Sequence, residues 1–182
     1  EEDSIAIVVL GGVGLSALLA SIAIGSKKTI AIDLSNEKLN LAHELGADHI
    51  LNPNDANFLE RIRDLTSGGA NIAIETAGSG RALKTAYDIT RRGGTTVAAG
   101  MPGPKVDITL SHLSIAAEER IIKGSYMGSC IAHRDIPKYL DMFQTGKLPV
   151  DRLLSRKITF EDLNAAMDRL DDAKTVREVL IP

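Results

Sequence analysis

Cysteine is nearly missing from this chain: Cys130 is the only one in 182 residues. A single thiol closes no internal disulfide, and one cysteine is too few for a zinc ribbon or finger. The balance favours a reducing, cytosolic (cytoplasmic) setting. Net charge is also slight, −3, with 21 Lys and Arg against 24 Asp and Glu. That removes the electrostatic case for a nucleic-acid partner or an anionic membrane. There is no internal repeat, low-complexity run or block of like charge, and no serine, cysteine and histidine spacing suggests a hydrolase. What remains is an ordinary soluble balance, 44% apolar and 25% charged. The length suits one domain, or one domain plus a fragment of another.

Charge is also missing from residues 4–26, which include IAIVVLGGVGLSALLASIAIG. By length this stretch would cross a bilayer, which needs roughly 20 apolar residues. Its middle argues otherwise. Residues 5–10 are a β-branched apolar run of strand length, and Gly11, Gly12 and Gly14 then cluster. After them Leu15, Leu18, Leu19 and Ile22 recur at helical spacing. Three glycines at one point suit a tight turn between a strand and a helix, not a spanning helix. A signal peptide fits poorly, because Glu1, Glu2 and Asp3 stand where a basic leader belongs.

The alternation repeats along the chain. Strands are expected over 28–33, 49–51, 71–75, 94–100 and 120–126. Helices are expected over 36–45, 57–66, 80–89 and 111–118. Arg91 and Arg92 are read as ending a helix at its negative dipole end. Strands alternating with helices imply an α/β, doubly wound, mainly parallel six-stranded sheet with helices on both faces. After Gly128 the pattern shifts. A helix is expected over 135–144, with Asp135 as N-cap and Pro137 in its first turn. A strand over 153–159, a helix to Leu170 opened by a Thr159–Asp162 capping pair, and a strand-like run over 176–181 follow. Residues 1–128 thus read as one domain and 129–182 as a separate C-terminal segment.

Dinucleotide sites have a specific physical logic. A glycine turn lets backbone approach a pyrophosphate, and the next helix aims N–H groups and its positive dipole end at the phosphates. An acid ending the second strand accepts hydrogen bonds from the adenosine ribose. Here the turn is Gly11-Gly12-Val13-Gly14, and Asp33 follows nineteen residues after Gly14, close to the interval of about twenty. A carboxylate at Asp33 repels a 2′-phosphate and favours NAD over NADP; its competing reading is a cap for the helix near Asn36. Leu34 follows it directly. Lys38 either reaches the same ribose or is a solvated helix lysine. The carboxyl ends of later strands add Thr76 and Ala77, then Gly100 and Met101. Val9 stands where G-x-G-x-x-G has its first glycine. It either crowds the pyrophosphate or ends the strand in an allowed extended conformation. Cys130 and His133 have a ligand-like C-x-x-H spacing with no second pair nearby, so no metal site is expected in this chain. His43 reads as a surface residue.

The blocks LGGVGLSAL, AIDLSNEKLNLAHELGADHILNP, ETAGS, VAAGMP, DIPKYLDMFQTGKLPVDRLLSRKITFEDLNAAMDRL and VREVL resemble the zinc-type alcohol dehydrogenases of the medium-chain dehydrogenase/reductase superfamily. The likeness runs in order over nearly the whole chain, and the DIPKYLD…GKL run is most similar to the class III and aryl-alcohol branches. The family form of the first block is G-L-G-G-V-G, from which Val9 departs. The resemblance implies a Rossmann domain that binds NAD(P) in an enzyme oxidising alcohols to aldehydes or ketones. It implies that Gly12 and Val13 line the pyrophosphate and nicotinamide ribose, and that Asp33 and Lys38 hold the adenosine ribose. Ala99, Gly100 and Met101 would contact the nicotinamide, with Ser125, Tyr126 and Met127 close by, and Arg177 would bind the pyrophosphate. It also implies a homodimer through the edge strand at residues 121–126.

In that family a GroES-like domain precedes this region and carries the zinc ligands and the proton relay, none of which is present here. The expectation is therefore a C-terminal half that binds NAD without catalytic residues of its own, with zinc only in the N-terminal half, and with apolar side chains of the tail exposed or repacked. A non-catalytic NAD-binding or redox-sensing module is the alternative. An S-adenosylmethionine-dependent methyltransferase, which also places a glycine turn before an acid, is a further one.

Overall fold

A computed structural model describes residues 3–171 and 175–181. Strand β1 (Ser4–Val8) is buried at all five positions, as the uncharged run SIAIV requires of a strand covered on both faces. It is followed by α1 (Gly12–Ala23), β2 (Lys28–Ile32), α2 (Asn36–Glu44), β3 (His49–Leu51), α3 (Phe58–Thr66), β4 (Ala70–Glu75), α4 (Gly80–Ile89), β5 (Thr90–Ala98), α5 (His112–Ala117) and β6 (Ile121–Gly124). These strands form one sheet in the order β3-β2-β1-β4-β5-β6, parallel at every pairing. That is the doubly wound Rossmann order, whose direction reverses between β1 and β4. The expected six-stranded α/β fold is the one observed.

Two apolar layers flank the sheet. On one side Ile5, Ile7, Leu15, Leu18, Leu39 and Leu45 pack together. On the other, Val8, Ile30, Ile32, Phe58, Ile62 and Ile89 do so. The uncharged stretch that resembled a membrane span is thus a core strand and a core helix. No helix among the described residues is long and apolar enough to cross a membrane.

After β6 come α6 (Ala132–Gln144), β7 (Arg156–Ile158), α7 (Leu163–Asp171) and β8 (Glu178–Leu180); β7 and β8 form a separate two-stranded parallel sheet. The tail does not stand apart from the core. Leu148 and Leu153 are buried in the first apolar layer, with Val176 against it, and Arg152 donates to the Glu44 carbonyl at 2.8 Å. Other tail side chains, among them Ile136, Tyr139, Leu140, Phe160 and Met167, are exposed.

Three local expectations are corrected. Asp135 does not cap α6: the N-cap is Ile131, and the Asp135 carboxylate reaches back from inside the first turn to accept the Ile131 N–H at 2.9 Å. A bidentate bond from Arg134 at 2.7 and 2.8 Å holds that carboxyl well below the usual carboxylate range. Arg91 and Arg92 lie in β5 rather than at a helix end. The run 153–159 splits into a 3-10 turn over Val150–Leu153 and the short β7.

Candidate functional site

Parallel pairing puts the strand ends in register. Val8 pairs with Ile32 and with Glu75, Glu75 with Ala98, and Ala98 with Gly124. The residues singled out in the sequence follow directly after this row. Val9 to Gly14 leave β1, Asp33 and Leu34 leave β2, Thr76 and Ala77 leave β4, Ala99 to Met101 leave β5, and Ser125 to Met127 leave β6. All of them therefore lie along one rim of the sheet, on both sides of the point where the strand order reverses, the usual crevice for a ligand in an open α/β sheet.

The glycine turn and the acid form one hydrogen-bonded unit. Asp33 is 7% exposed. Its Oδ2 accepts the Leu10 N–H at 2.7 Å and its Oδ1 accepts the Ser35 N–H at 2.9 Å. The cap of α2 is Ser35, whose hydroxyl accepts from the Lys38 N–H at 3.4 Å, so Asp33 anchors the turn instead of capping the helix. An ionised carboxylate has about four lone-pair sites, and two are used here. Lys38 stands half-buried in the first turn of α2.

Two glycines of the turn lie against neighbouring atoms, Gly14 with no room for a side chain and Gly12 with little. At Gly14 a Cβ would stand 2.0 Å from the Val9 carbonyl oxygen and 2.9 Å from Thr76 Oγ1. At Gly12 it would stand 3.1 Å from the Val176 carbonyl oxygen and 3.7 Å from the Arg177 guanidinium. The exposed Arg177 is thereby brought beside the N-terminus of α1, from a position 165 residues away in the chain (177 against 12). That N-terminus begins at Gly11, with no side-chain cap and no acidic residue in its first turn. By contrast, serines cap α2, α4 and α5. Free N–H groups, the positive dipole end and a guanidinium converge there, an arrangement that suits an anionic phosphate.

The far half of the rim is also built from close backbone contact. A Cβ at Gly100 would lie 1.9 Å from the Gly78 nitrogen, and one at Gly78, whose φ is +68°, would lie 2.2 Å from the Met101 carbonyl oxygen. Ala99 and Gly100 both donate to the Glu75 carbonyl, at 2.9 and 3.0 Å, and Ser125 donates to the Ala98 carbonyl at 2.9 Å. Met101, Tyr126 and Met127 are exposed beyond them. The Glu75 side chain, 1% exposed, accepts the Ala77 and Gly78 N–H groups at 2.6 and 2.7 Å and so fixes the loop carrying Thr76 and Ala77.

Beside the turn lies a cavity of about 640 Å³ lined by Val9, Asp33, Leu34, Pro53, Phe58, Ser79 and Arg81 among others. Its volume suits a nucleoside or larger group. Sequence reading singled out Val9, Asp33 and Leu34 but missed the rest. Ser79 was within reach of the strand-end rule, since it closely follows β4; Phe58 and Arg81 sit on α3 and α4 and carry no local signal. The Val9 conformation settles a question the sequence left open. Its φ is +75°, so it is not extended. Among the described residues no group of three His, Cys, Asp or Glu side chains could hold a metal ion. Cys130 and His133 are exposed.

Comparison with known proteins gives a consistent result. A family model described as "Zinc-binding dehydrogenase" matches residues 12–145. Geraniol dehydrogenase of Castellaniella defragrans is 32% identical over 180 residues, 98% of this chain and 48% of that protein. The crystal structure of benzyl alcohol dehydrogenase from Acinetobacter calcoaceticus superposes with a TM-score of 0.92 at 29% identity, covering 98% of this chain and 49% of that one. A zinc-binding dehydrogenase from Sinorhizobium meliloti 1021 bound to NADP superposes with a TM-score of 0.88 at 26% identity, over 99% of this chain and 52% of that one. The chain thus spans about half the length of the relatives it matches.

Proposed function

Since this chain belongs to the zinc-binding dehydrogenase family, we propose that it is the NAD-binding part of a zinc-dependent alcohol dehydrogenase. In the whole enzyme an alcohol and NAD give an aldehyde or ketone and NADH. The observation that carries the reading is the Leu10 N–H bond to Asp33 Oδ2 at 2.7 Å. It ties the phosphate-binding turn to the ribose-binding acid as one preorganised site. NAD fits the residues present: uncapped α1 and Arg177 for the pyrophosphate, Asp33 and Lys38 for the adenosine ribose, and the 640 Å³ cavity for the adenosine. Ala99, Gly100, Met101 and Ser125 to Met127 line the nicotinamide end.

When bound, NAD supplies the hydride acceptor. This chain's own residues bind and orient it. In the whole enzyme the zinc ligands and the proton relay would come from a catalytic domain such as the family carries, and the chain alone is proposed to bind cofactor without turning over alcohol. Residues 1–128 form the body of the cofactor domain; 129–182 pack on it through Leu148, Leu153 and Val176 and also join the catalytic half in the whole enzyme. The exposed Ile136, Tyr139, Leu140 and Phe160 support a covering partner for that segment. Edge strand β6, with Ile121 and Ile122 exposed, supports a homodimer that continues the sheet. The single cysteine supports a cytoplasmic setting.

Calorimetric titration with NADH, NADPH and S-adenosylmethionine tests the reading. Saturable NADH binding that is tighter than NADPH binding supports it. Binding of S-adenosylmethionine in place of NADH overturns it in favour of a methyltransferase.

A further inference from the structure

Val9 is held in a backbone conformation that opposes its side chain. At φ +75° it occupies the left-handed region, which favours glycine and strains a β-branched residue. Its backbone is fixed on every side. The Val9 N–H donates to the Ile32 carbonyl at 2.9 Å, and its carbonyl accepts from Thr76 Oγ1 at 2.6 Å. The next N–H, of Leu10, is bound by Asp33, and Gly14 lies against the same Val9 carbonyl. With the backbone set by its neighbours, the isopropyl group must go where that backbone aims it. It is half-buried, packed against the core layer of Val8, Ile32 and Phe58, and forms part of the wall of the 640 Å³ cavity that Asp33 also lines. A glycine at this position would leave that part of the wall open.

Resting on the dinucleotide reading above, we infer that the Val9 side chain is an affinity-determining group that narrows the cavity it lines together with Asp33. The part of the cofactor assigned to that cavity is the adenosine. Val9 therefore weakens NADH and ADP-ribose, which both contain the adenosine. It leaves nicotinamide mononucleotide, which does not, unaffected. Overpacked apolar groups in binding pockets discriminate in this way because close-packed walls yield little.

The test compares the 182-residue chain with its Val9→Ala and Val9→Gly variants by calorimetry against NADH, ADP-ribose and nicotinamide mononucleotide. Val9→Ala keeps the Cβ and the backbone strain but removes both γ-methyl groups, so it isolates crowding from conformation. Both variants are expected to tighten NADH and ADP-ribose by about tenfold and to leave nicotinamide mononucleotide unchanged. If wild type binds NADH and Val9→Ala binds it equally or more weakly, the inference falls while the dinucleotide reading stands. Equal tightening of nicotinamide mononucleotide also overturns it, because the effect would then not be local to the adenosine cavity. If no form binds NADH or ADP-ribose, the dinucleotide reading falls, and this inference with it.

Discussion

Replacing Gly14 by alanine tests the packing of the site with a clear sign. In an ordinary helix interior, alanine is more favourable than glycine by about 1 kcal/mol. Gly14 lies in the first turn of α1, and there the new Cβ would stand 2.0 Å from the Val9 carbonyl oxygen. Ordinary carbon–oxygen contact begins at about 3.3 Å. The carbonyl cannot easily retreat, since Thr76 Oγ1 holds it at 2.6 Å and the Val9 N–H is tied to β2. Relief requires α1 to lift from β1, which disturbs Leu15 and Leu18, both fully buried. Overpacking of this kind costs about 1–3 kcal/mol and occasionally more, enough to outweigh the helix gain. We expect a net loss of about 1–2 kcal/mol, or about 2–8 °C in Tm for a chain of this size. NADH affinity should drop together with stability, because the turn moves with the helix. Thermal unfolding by circular dichroism gives the answer. A Gly14→Ala variant that melts higher than wild type would refute the close approach.

Other changes probe the charges. Asp33→Asn retains an oxygen for the Leu10 N–H but loses the carboxylate; NADH should bind about tenfold more weakly, as for loss of a charge-assisted hydrogen bond, while discrimination against NADPH shrinks, both read by calorimetry. Arg177→Ala should weaken NADH by about tenfold and flatten the salt dependence of binding, with adenosine affinity unchanged. On the proposed pairing of β6 with a second copy, wild type should sediment as a dimer and Ile122→Lys as a monomer, with Tm nearly unaltered at high dilution. Acid should loosen the β7–β8 region in a defined way. Glu178 is bound by Arg169 at 2.7 and 2.8 Å, which lowers its carboxyl below the ordinary 4.5. A depressed carboxylate contributes stability that is complete above the unfolded value and is lost as pH falls through the folded one. Wild type should therefore lose more stability in urea melts below pH 4.5 than Glu178→Gln does.

The framework of the fold was legible because its signals are local. β3 and α4 fall at the expected residues, 49–51 and 80–89, where a short apolar run and a clear helical period are bounded by turn residues. The glycine turn and Asp33 were legible because chemistry constrains both their types and their spacing. Other features depend on distant partners. β5 begins at Thr90, not Gly94, because Thr90 pairs with Ala70 across a register shift and its hydroxyl bonds the buried Thr96 at 2.8 Å; TRRGG alone looks like a turn. Asp135 carries the composition of an N-cap, but the chain enters α6 three residues earlier and the carboxylate works backwards. Leu148 and Leu153 belong to a tail with no visible link to β1, yet they complete its core layer. For Arg177, spacing offered nothing, and only the family resemblance pointed to the turn. The left-handed Val9 was invisible because valine in sequence argues for extended backbone; four separate neighbours override that preference.

The central claim is that the glycine turn and Asp33 form one cofactor site, and amide chemical-shift mapping during NADH titration tests it most directly. The account predicts saturable shifts concentrated at Leu10 to Gly14, Asp33 to Ser35 and Thr76 to Gly78, with β7 little changed. Saturable binding whose shifts avoid Leu10 to Gly14 and Asp33 would contradict it.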